Sequence, residues 1–240
     1  MRLDGRAPNQ LRPLTIELSP VRYPEGSALI RLGETHVLCT ATVEKTLPRW
    51  RLGQGKGWLT AEYALLPGST QTRTPRTHIS GGRAQEIRRL IGRSLRRAVS
   101  LDLLGERTLI VDCDVLQADG GTRTAAINGG YVAVALAVRR LAEAGSIPPE
   151  ALLPPIAAIS AGVVEGEARI DLAYAEDSIA EVDFNVVLDV EGRFIEVQGT
   201  AEGDPISRAV LNELLDLSAQ GVKNIVSVQR EVLACAGIEV

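Results

Sequence analysis

The sequence predicts an α+β fold, built from mixed sheets with packed helices. Strand patterns come in hairpin-like groups followed by helices, instead of alternating one by one with helices. The 240 residues are 45% hydrophobic and 23% charged, which is enough apolar material for a sizeable core. A proline-rich connection at 145–155 divides the pattern. We therefore expect a single domain over residues 1–240, with an N-terminal lobe at about 1–144 and a C-terminal lobe at about 156–240.

The N-terminal lobe is predicted to contain strands first and two long helices later. Alternating segments predict strands at Leu14–Leu18, 28–32, 36–43, Trp58–Leu65 and 107–116. Gly33 and Glu34 look like the turn of a hairpin. An apolar stripe predicts a helix at 83–99. A second helix at 122–144 is rich in alanine and glycine, so we expect it to pack closely in the centre of the fold.

The C-terminal lobe repeats the order of strands and then helices. Strands are predicted at 157–164, 168–172, 182–190 and 194–199. A helix is then predicted to begin at Asp204, which would be its N-cap, with Pro205 at the first helical position. We expect this helix to end near Gly221 and a separate one to cover 222–236.

Composition indicates the cellular compartment of the protein and argues against a membrane-spanning or secreted protein. The longest apolar run, at 125–138, contains Asn128 and is shorter than the ~20 residues that cross a bilayer. The first six residues carry Arg2, Asp4 and Arg6, where a signal peptide would need apolar residues. Three scattered cysteines suit a reducing compartment. We expect a cytoplasmic protein with no membrane partner.

The two halves of the chain carry opposite charge. Residues 1–140 hold 21 basic and 12 acidic side chains, a net +9, while residues 141–240 hold 5 and 18, a net −13. The strongest basic cluster, at 64–101, combines eight arginines with a single acidic residue. Such a cluster in an acidic protein indicates either a local anion site or the solvated face of a helix.

Two predicted helices begin with glycine followed closely by arginine. The first start is Gly81-Gly82-Arg83, and the second is Gly120-Gly121-Thr122-Arg123. A helix N-terminus attracts anions, glycine allows close approach of the backbone, and arginine offers a fork that matches phosphate. Either start alone is more simply a turn with a surface arginine. The two together favour one phosphate bound between them.

An acidic segment suggests a site for a divalent cation. Asp177 precedes a predicted strand and Asp183 lies within it. Mg²⁺ takes one or two carboxylates and completes its shell with water and phosphate oxygens. In a straight strand the two residues would be ~20 Å apart, so a bend is required for them to share one ion. The alternative is a solvated acidic face.

These features together describe phosphoryl transfer on a polynucleotide. The sequence suggests no activated Ser, Cys or His nucleophile, so the attacking group would be a bound phosphate or water. Aromatic residues are only 3% of the chain, so base stacking contributes little. Binding through backbone charge should weaken steeply with salt.

Nine stretches of the sequence carry a family resemblance. They are 1–6 (MRLDGR), 11–13 (LRP), 55–63 (GKGWLTAEY), 86–93 (EIRRLIGR), 112–115 (DCDV), 117–124 (QADGGTRT), 176–178 (EDS), 180–183 (AEVD) and 196–200 (EVQGT). The chain thus resembles the bacterial ribonuclease PH family nearly from end to end. The resemblance implies the α+β fold of ribosomal protein S5 domain 2.

The resemblance also implies an activity and its partners. The family trims precursor tRNA from the 3′ end with inorganic phosphate as co-substrate, releases nucleoside diphosphates, and runs in reverse as a nucleotidyltransferase. It acts as a homo-hexamer, a trimer of dimers. By position, phosphate would be bound by Arg83, Gly121, Thr122 and Arg123. Asp177 and Asp183 would hold Mg²⁺ and assist catalysis, and Arg73 and Arg76 would contact RNA.

Two other functions remain open at the level of sequence. A non-catalytic ring subunit could bind RNA on the same fold, although it would have no need of the phosphate and carboxylate sets. A metal-dependent hydrolase would use water in place of phosphate and release monophosphates.

Overall fold

The computed structural model describes residues 2–76 and 81–240, and within these it contains nine β-strands and five α-helices. The strands are β1 (Leu14–Leu18), β2 (Gly26–Leu32), β3 (Thr35–Glu44), β4 (Trp58–Leu65), β5 (Thr108–Gln117), β6 (Ile156–Val164), β7 (Glu167–Ile170), β8 (Val182–Asp189) and β9 (Phe194–Ala201). The helices are α1 (Gly82–Leu95), α2 (Leu101–Leu104), α3 (Thr122–Glu143), α4 (Tyr174–Asp177) and α5 (Arg208–Cys235). Short 3₁₀ turns occur at Arg49–Arg51 and Pro149–Ala151.

The strands form two sheets that are separated by helix α3. The first sheet has the order β1-β2-β3-β5-β4 and is mixed, because β4 runs parallel to β5. The second has the order β7-β6-β8-β9 and is antiparallel. Helix α3 packs on β2 and β3 of the first sheet and on β6 of the second, while α5 covers the other face of the second sheet. The predicted α+β class with mixed sheets is confirmed.

Helix α3 lies at the centre because its side chains are small enough to admit a sheet on each side. Every residue from 124 to 135 is buried. A Cβ added at Gly129 would lie 2.8 Å from Ile30 Cγ2 and 2.9 Å from Cys39 Sγ. Asn128 bonds to both backbone groups of Ala158, with its amide donating at 2.9 Å and its carbonyl accepting at 2.7 Å. The predicted central position of this helix is confirmed.

Helix α1 is shorter than the predicted 83–99. It ends at Leu95, and the Arg96 guanidinium turns back to donate to Leu59 O at 3.1 Å and to lie over the Trp58 ring at 4.4 Å. Val99 then pairs with Leu152 in an isolated bridge. The apolar period continues past the end of the helix because Ala98 and Val99, in and just after the turn, are buried.

The two helices predicted after residue 204 are a single helix, so that prediction was wrong. Helix α5 begins after Ser207, whose hydroxyl accepts from Val210 N at 3.3 Å, and it continues through Gly221. Gly221 lies where the helix touches Ile159 and Ile170, and a Cβ there would overlap both side chains. The glycine therefore marks a close helix–sheet contact and not a helix end.

The three cysteines are free thiols in this structure. Cys39 and Cys113 are buried opposite each other on β3 and β5, and Cys235 is exposed at the end of α5. Over the described ranges, the chain contains no helix with both the length and the apolar character needed to cross a membrane.

Candidate phosphate and RNA site

A tight turn follows β5 and leads into α3; we call residues 119–121 the glycine loop. Gly120 and Gly121 have φ of 74° and 65°, in the left-handed region that favours glycine. A Cβ on Gly120 would lie 2.5 Å from Leu172 O and 2.9 Å from Tyr174 N. The loop thus touches the backbone that leads into α4, and this close approach brings the two lobes together at the start of α3.

The first two residues of α3 have side-chain partners from three other elements. Thr122 Oγ1 lies 2.8 Å from the hydroxyl of Tyr63 on β4. Arg123 Nη1 donates to Glu86 Oε1 on α1 at 3.3 Å and to Gln198 Oε1 on β9 at 3.4 Å. The Arg123 side chain is only 16% exposed. Because it is largely buried and bonds to two acceptors, its guanidinium group is held in one direction.

The start of α1 lies beside the start of α3. Burial raises the pKa of Tyr63, and the positive charges of Arg83 and Arg123 act on it in the opposite direction. Arg83 also lines a cleft of about 260 Å³ together with Tyr63, Thr74 and Pro75. The two glycine–arginine helix starts, separate in sequence, therefore meet around the Tyr63 hydroxyl.

Asp177 lies close to Asp183 and to two of the predicted site arginines. Asp177 is the last residue of α4, and Asp183 lies on β8 opposite Gly162. Burial raises the pKa of Asp177, the charge of Asp183 raises it further, and Arg83 and Arg123 lower it. The sequence prediction required a bend between the two aspartates, and the short helix α4 with the turn after it provides one. Asp177 thus interacts electrostatically with three other predicted site residues, each from a different element.

The two carboxylates fit a divalent cation bound without a larger protein cage. Among residues 2–76 and 81–240 there is no group of three or more His, Cys, Asp or Glu side chains arranged for a metal. Mg²⁺ commonly uses one or two carboxylates together with water and substrate phosphate. Mutual repulsion between Asp177 and Asp183 is the kind of strain that a bound cation relieves.

Arg73 and Arg76 are exposed on the loop that precedes α1. The loop is tied down by Thr74 N, which donates to Pro67 O at 2.9 Å, and by Ala118 N, which donates to Ser69 O at 2.8 Å. Thr74 and Pro75, between the two arginines, line the same cleft as Arg83. Arg73 and Arg76 therefore flank the cleft that Arg83 lines.

Sequence reasoning did not assign a role to four residues that the structure brings to this site. Tyr63, Glu86 and Gln198 contact Thr122 or Arg123, and Arg12 lies beneath the glycine loop. Tyr63, Glu86, Gln198 and Arg12 all lie inside stretches that carry the family resemblance, but their spacing gave no indication of a shared site because they come from different elements.

Comparisons with known proteins agree with this architecture. The model for domain 1 of the 3′ exoribonuclease family matches residues 10–139, and the model for domain 2 matches residues 154–221. Ribonuclease PH from Crocosphaera subtropica is 54% identical over 236 residues, which cover 98% of each chain. This chain belongs to the ribonuclease PH family. Ribonuclease PH from Moorella thermoacetica is 52% identical over 97% of this chain and 94% of its own.

Solved structures share the ribonuclease PH fold at lower sequence identity. Rice Rrp46 superposes with a TM-score of 0.78 at 24% identity, covering 97% of this chain and all of its own. A chain of the Archaeoglobus fulgidus exosome with RNA bound to the active site gives a TM-score of 0.79 at 20% identity, covering 94% of this chain and 91% of its own. The fold expected from the resemblance is confirmed.

Proposed function

We propose that the pocket formed by Arg83, the glycine loop, Thr122, Arg123 and the two aspartates carries out phosphorolysis at the 3′ end of precursor tRNA. The class of reaction follows from the family, since the chain is a phosphate-dependent 3′→5′ exoribonuclease of tRNA processing. The observation that carries the assignment to this pocket is the charge environment of Asp177, which includes Asp183, Arg83 and Arg123.

The arginines and the start of α3 would bind the attacking phosphate. Arg123 is directed by Glu86 and Gln198, and Gly121 and Thr122 supply the end of a long helix, where anions are favoured. Tyr63 bonds to Thr122, which fixes the Thr122 hydroxyl near Arg83. A phosphate held in this way attacks the last phosphodiester as a positioned nucleophile, without a covalent enzyme intermediate.

The bond changes require charge stabilisation more than an activated side chain. An oxygen of inorganic phosphate bonds to the terminal phosphorus, and the bond from that phosphorus to the preceding 3′ oxygen breaks. The products are a nucleoside diphosphate and an RNA one nucleotide shorter, whose 3′ oxygen takes up a proton. Arg83 and Arg123 would stabilise the charge that spreads over the phosphoryl oxygens.

Asp177 and Asp183 would hold Mg²⁺, which when bound neutralises charge on phosphate oxygens. The hard carboxylate oxygens suit this ion, and Asp183 is itself oriented by Asn185, whose amide donates to Asp183 Oδ1 at 3.1 Å. Asp177 lies near both arginines and Asp183, so its carboxylate would lie beside the phosphate that those arginines would bind.

Arg73 and Arg76 would contact the RNA backbone as it enters the cleft, because they are exposed beside residues that line it. We propose further that the chain works as a homo-hexamer, a trimer of dimers. Strand β9 lies at the edge of the second sheet and exposes Phe194 and Val197, a surface suited to association between copies.

We also propose that residues 1–240 act as one domain with lobes at about 1–144 and 156–240. Helix α3 packs against both sheets, and α5 contributes buried residues to both of the large apolar clusters. The unpaired cysteines suit a reducing compartment, and we take the cytoplasm as the site of action.

The identity of the released nucleotide tests the reaction. Purified protein would be incubated with end-labelled RNA that carries extra nucleotides after its 3′ CCA, with Mg²⁺, in the presence and absence of phosphate. We expect nucleoside diphosphates only when phosphate is present. Monophosphates released without phosphate would indicate a hydrolase, and RNA binding without any release would indicate a non-catalytic subunit.

Substitution Arg123→Ala tests the assignment of the pocket within that assay. We expect phosphorolysis to fall by a factor of ~100 or more while RNA binding persists, because a forked contact to the nucleophile is lost. The control is Arg139→Ala, about 24 Å away along the same helix, which should retain activity. Normal activity of Arg123→Ala would remove Arg123 from the phosphate site.

A further inference from the structure

The segment before β1 buries three arginines although it forms no helix or strand. The side chains of Arg2, Arg6 and Arg12 are 1%, 7% and 4% exposed. Arginine is almost never this buried unless it is fully paired. Each of the three bonds to acidic side chains or carbonyls far along the chain, so the segment acts as a connector between distant parts of the fold.

Arg12 holds the glycine loop from below. Its two terminal nitrogens donate to Asp119 O and to Gly120 O, the latter at 3.4 Å. Thr35 completes the arrangement, since its hydroxyl donates to Gly120 O at 2.7 Å and accepts from Asp119 N at 2.9 Å. A Cβ on Gly121 would lie 3.1 Å from Arg12 Nη2. The left-handed shape of the loop is therefore fixed by side chains from outside it.

Arg12 is in turn held by a buried carboxylate of the C-terminal lobe. Asp171 is 1% exposed, and it accepts from Arg12 Nη2 at 2.7 Å, from Arg12 Nε at 3.1 Å and from Arg12 N at 2.7 Å. Arg6 adds a contact to the same carboxylate at 3.3 Å. Because Asp171 sets its orientation, the Arg12 guanidinium can donate to two neighbouring carbonyls at once.

The same segment also holds the helix that carries Asp177. Arg2 makes a two-pronged pair with Glu176, from Nε to Oε1 at 2.9 Å and from Nη2 to Oε2 at 2.7 Å. Glu176 immediately precedes Asp177 in α4. The loop and the helix are also joined directly, since Tyr174 N donates to Asp119 Oδ1 at 3.2 Å. The arginine segment thus contacts both halves of the site.

We propose that Arg12 is a positioning residue, which sets the geometry of the glycine loop for phosphate through its paired contacts to Asp119 O and Gly120 O. This inference rests on the proposed function of the pocket. A buried ion pair gains little stability over apolar packing of the same volume. What it offers here is direction, because only a fixed fork matches two adjacent carbonyls.

The test compares Arg12→Lys with the wild-type protein. Lysine keeps the charge but loses the fork, so we expect the KM for phosphate to rise about 10- to 100-fold. The Kd for RNA, measured without phosphate, should stay within twofold. A KM for phosphate equal to that of the wild type would overturn the proposal, since charge alone would then suffice.

Two further variants separate positioning from general destabilisation. Thr35→Val removes both bonds from the same loop at nearly constant volume and leaves the ion pairs intact, so it should raise the KM for phosphate severalfold even if Arg12→Lys does not fold. Leu233→Ala opens a cavity in the buried core near the end of α5. It should lower the Tm without changing that KM. If Leu233→Ala raises the KM as much as Thr35→Val does, the effect is stability and the proposal fails.

The outcome for the wild-type protein keeps the two hypotheses apart. If the wild type releases no nucleoside diphosphates, the proposed function fails before any variant is compared. If it does release them and the variants have the wild-type KM for phosphate, only the role of Arg12 is lost.

Discussion

Asp177 carries a charge that its own surroundings disfavour. Burial and the nearby Asp183 both raise its pKa, and the arginines only partly compensate. An acid whose pKa is higher in the folded than in the unfolded state costs folding free energy once the pH rises above the folded pKa. The cost vanishes below the unfolded pKa. Under the proposed function this carboxylate would hold a cation beside the phosphate, so stability and function would conflict at Asp177.

This conflict predicts a pH-dependent gain of stability. Without Mg²⁺ at about pH 7.5, Asp177→Asn should have a higher Tm than the wild type, and the difference should disappear below about pH 4, where the wild-type carboxyl is protonated. Added Mg²⁺ should stabilise the wild type more than the variant. Thermal unfolding across pH, followed by circular dichroism, measures all three effects.

Asp216→Asn provides the matched control, because it removes the same charge from an exposed position on α5. Its Tm should follow the wild type at every pH. A gain for Asp177→Asn that is equally large at pH 4 would show that the carboxylate charge is not its cause.

At the scale of secondary structure, glycine has three different structural roles in this chain. Gly120 permits a left-handed turn with close backbone contact, whereas Gly221 permits contact between α5 and the second sheet. Gly129 permits α3 to press against the first sheet. In sequence all three look alike, and this is why Gly221 was wrongly interpreted as a helix end. The element that packs against a glycine in space shows which structural role that glycine has.

The packing of α3 predicts that a Gly→Ala substitution in this helix lowers the free energy of unfolding, although the same substitution raises it in an exposed helix. In an open helix, Gly→Ala stabilises by ~1 kcal/mol. At Gly129 the new Cβ would meet Ile30 Cγ2 at 2.8 Å and Cys39 Sγ at 2.9 Å, which are buried side chains of two neighbouring strands. We expect Gly129→Ala to destabilise the protein by ~1–3 kcal/mol through overpacking, measured by urea unfolding.

Gly92→Ala in α1 is the control for this prediction, since its Cβ would reach Ala61 N only at an ordinary contact distance of 3.5 Å. That variant should be as stable as the wild type or more so. If Gly129→Ala behaved in the same way, α3 would not be pressed between the sheets as described.

At the scale of the whole molecule, the residues proposed to bind phosphate and RNA all lie in the basic half of the chain. Some of its arginines are used internally: Arg93 pairs with Glu196 at 2.6 Å and Arg88 with Glu62 at 2.9 Å. The basic cluster is therefore neither purely a solvated face nor purely a ligand site. Arg83 lines the cleft next to Tyr63, and Arg73 and Arg76 are exposed on the loop beside that cleft.

Removing that outer charge should change how RNA binding depends on salt. For the double substitution Arg73→Ala and Arg76→Ala, we expect weaker tRNA binding. We also expect the slope of log Kd against log salt concentration to be smaller by about 1.5. Cleavage of saturating short RNA should change little. Binding titrations at several salt concentrations measure the slope.

The double substitution Arg139→Ala and Arg140→Ala removes the same charge from the far end of α3 and should leave the slope unchanged. A slope that is unaltered in the Arg73 and Arg76 variant, or altered equally in both variants, would exclude a specific role for the loop.

Local patterns in the sequence predicted the secondary structure and indicated a type of chemistry. Alternating and apolar segments predicted the strands, an apolar stripe predicted α1, small residues predicted α3, and a capping signal placed a helix in the region of α5. The glycine–arginine starts and the paired aspartates indicated phosphate and a divalent cation. These conclusions depend on neighbours in sequence, and neighbours in sequence are what a single chain displays.

Which of these groups lie close together follows from the three-dimensional arrangement of the chain. The turn after α4 bends the chain between Asp177 and Asp183, and Arg123 has its direction because Glu86 and Gln198 arrive from other elements. Arg12 reaches the glycine loop from more than 100 positions away in sequence. Electrostatic and hydrogen-bond energies depend on distance in space, which local periodicity does not encode.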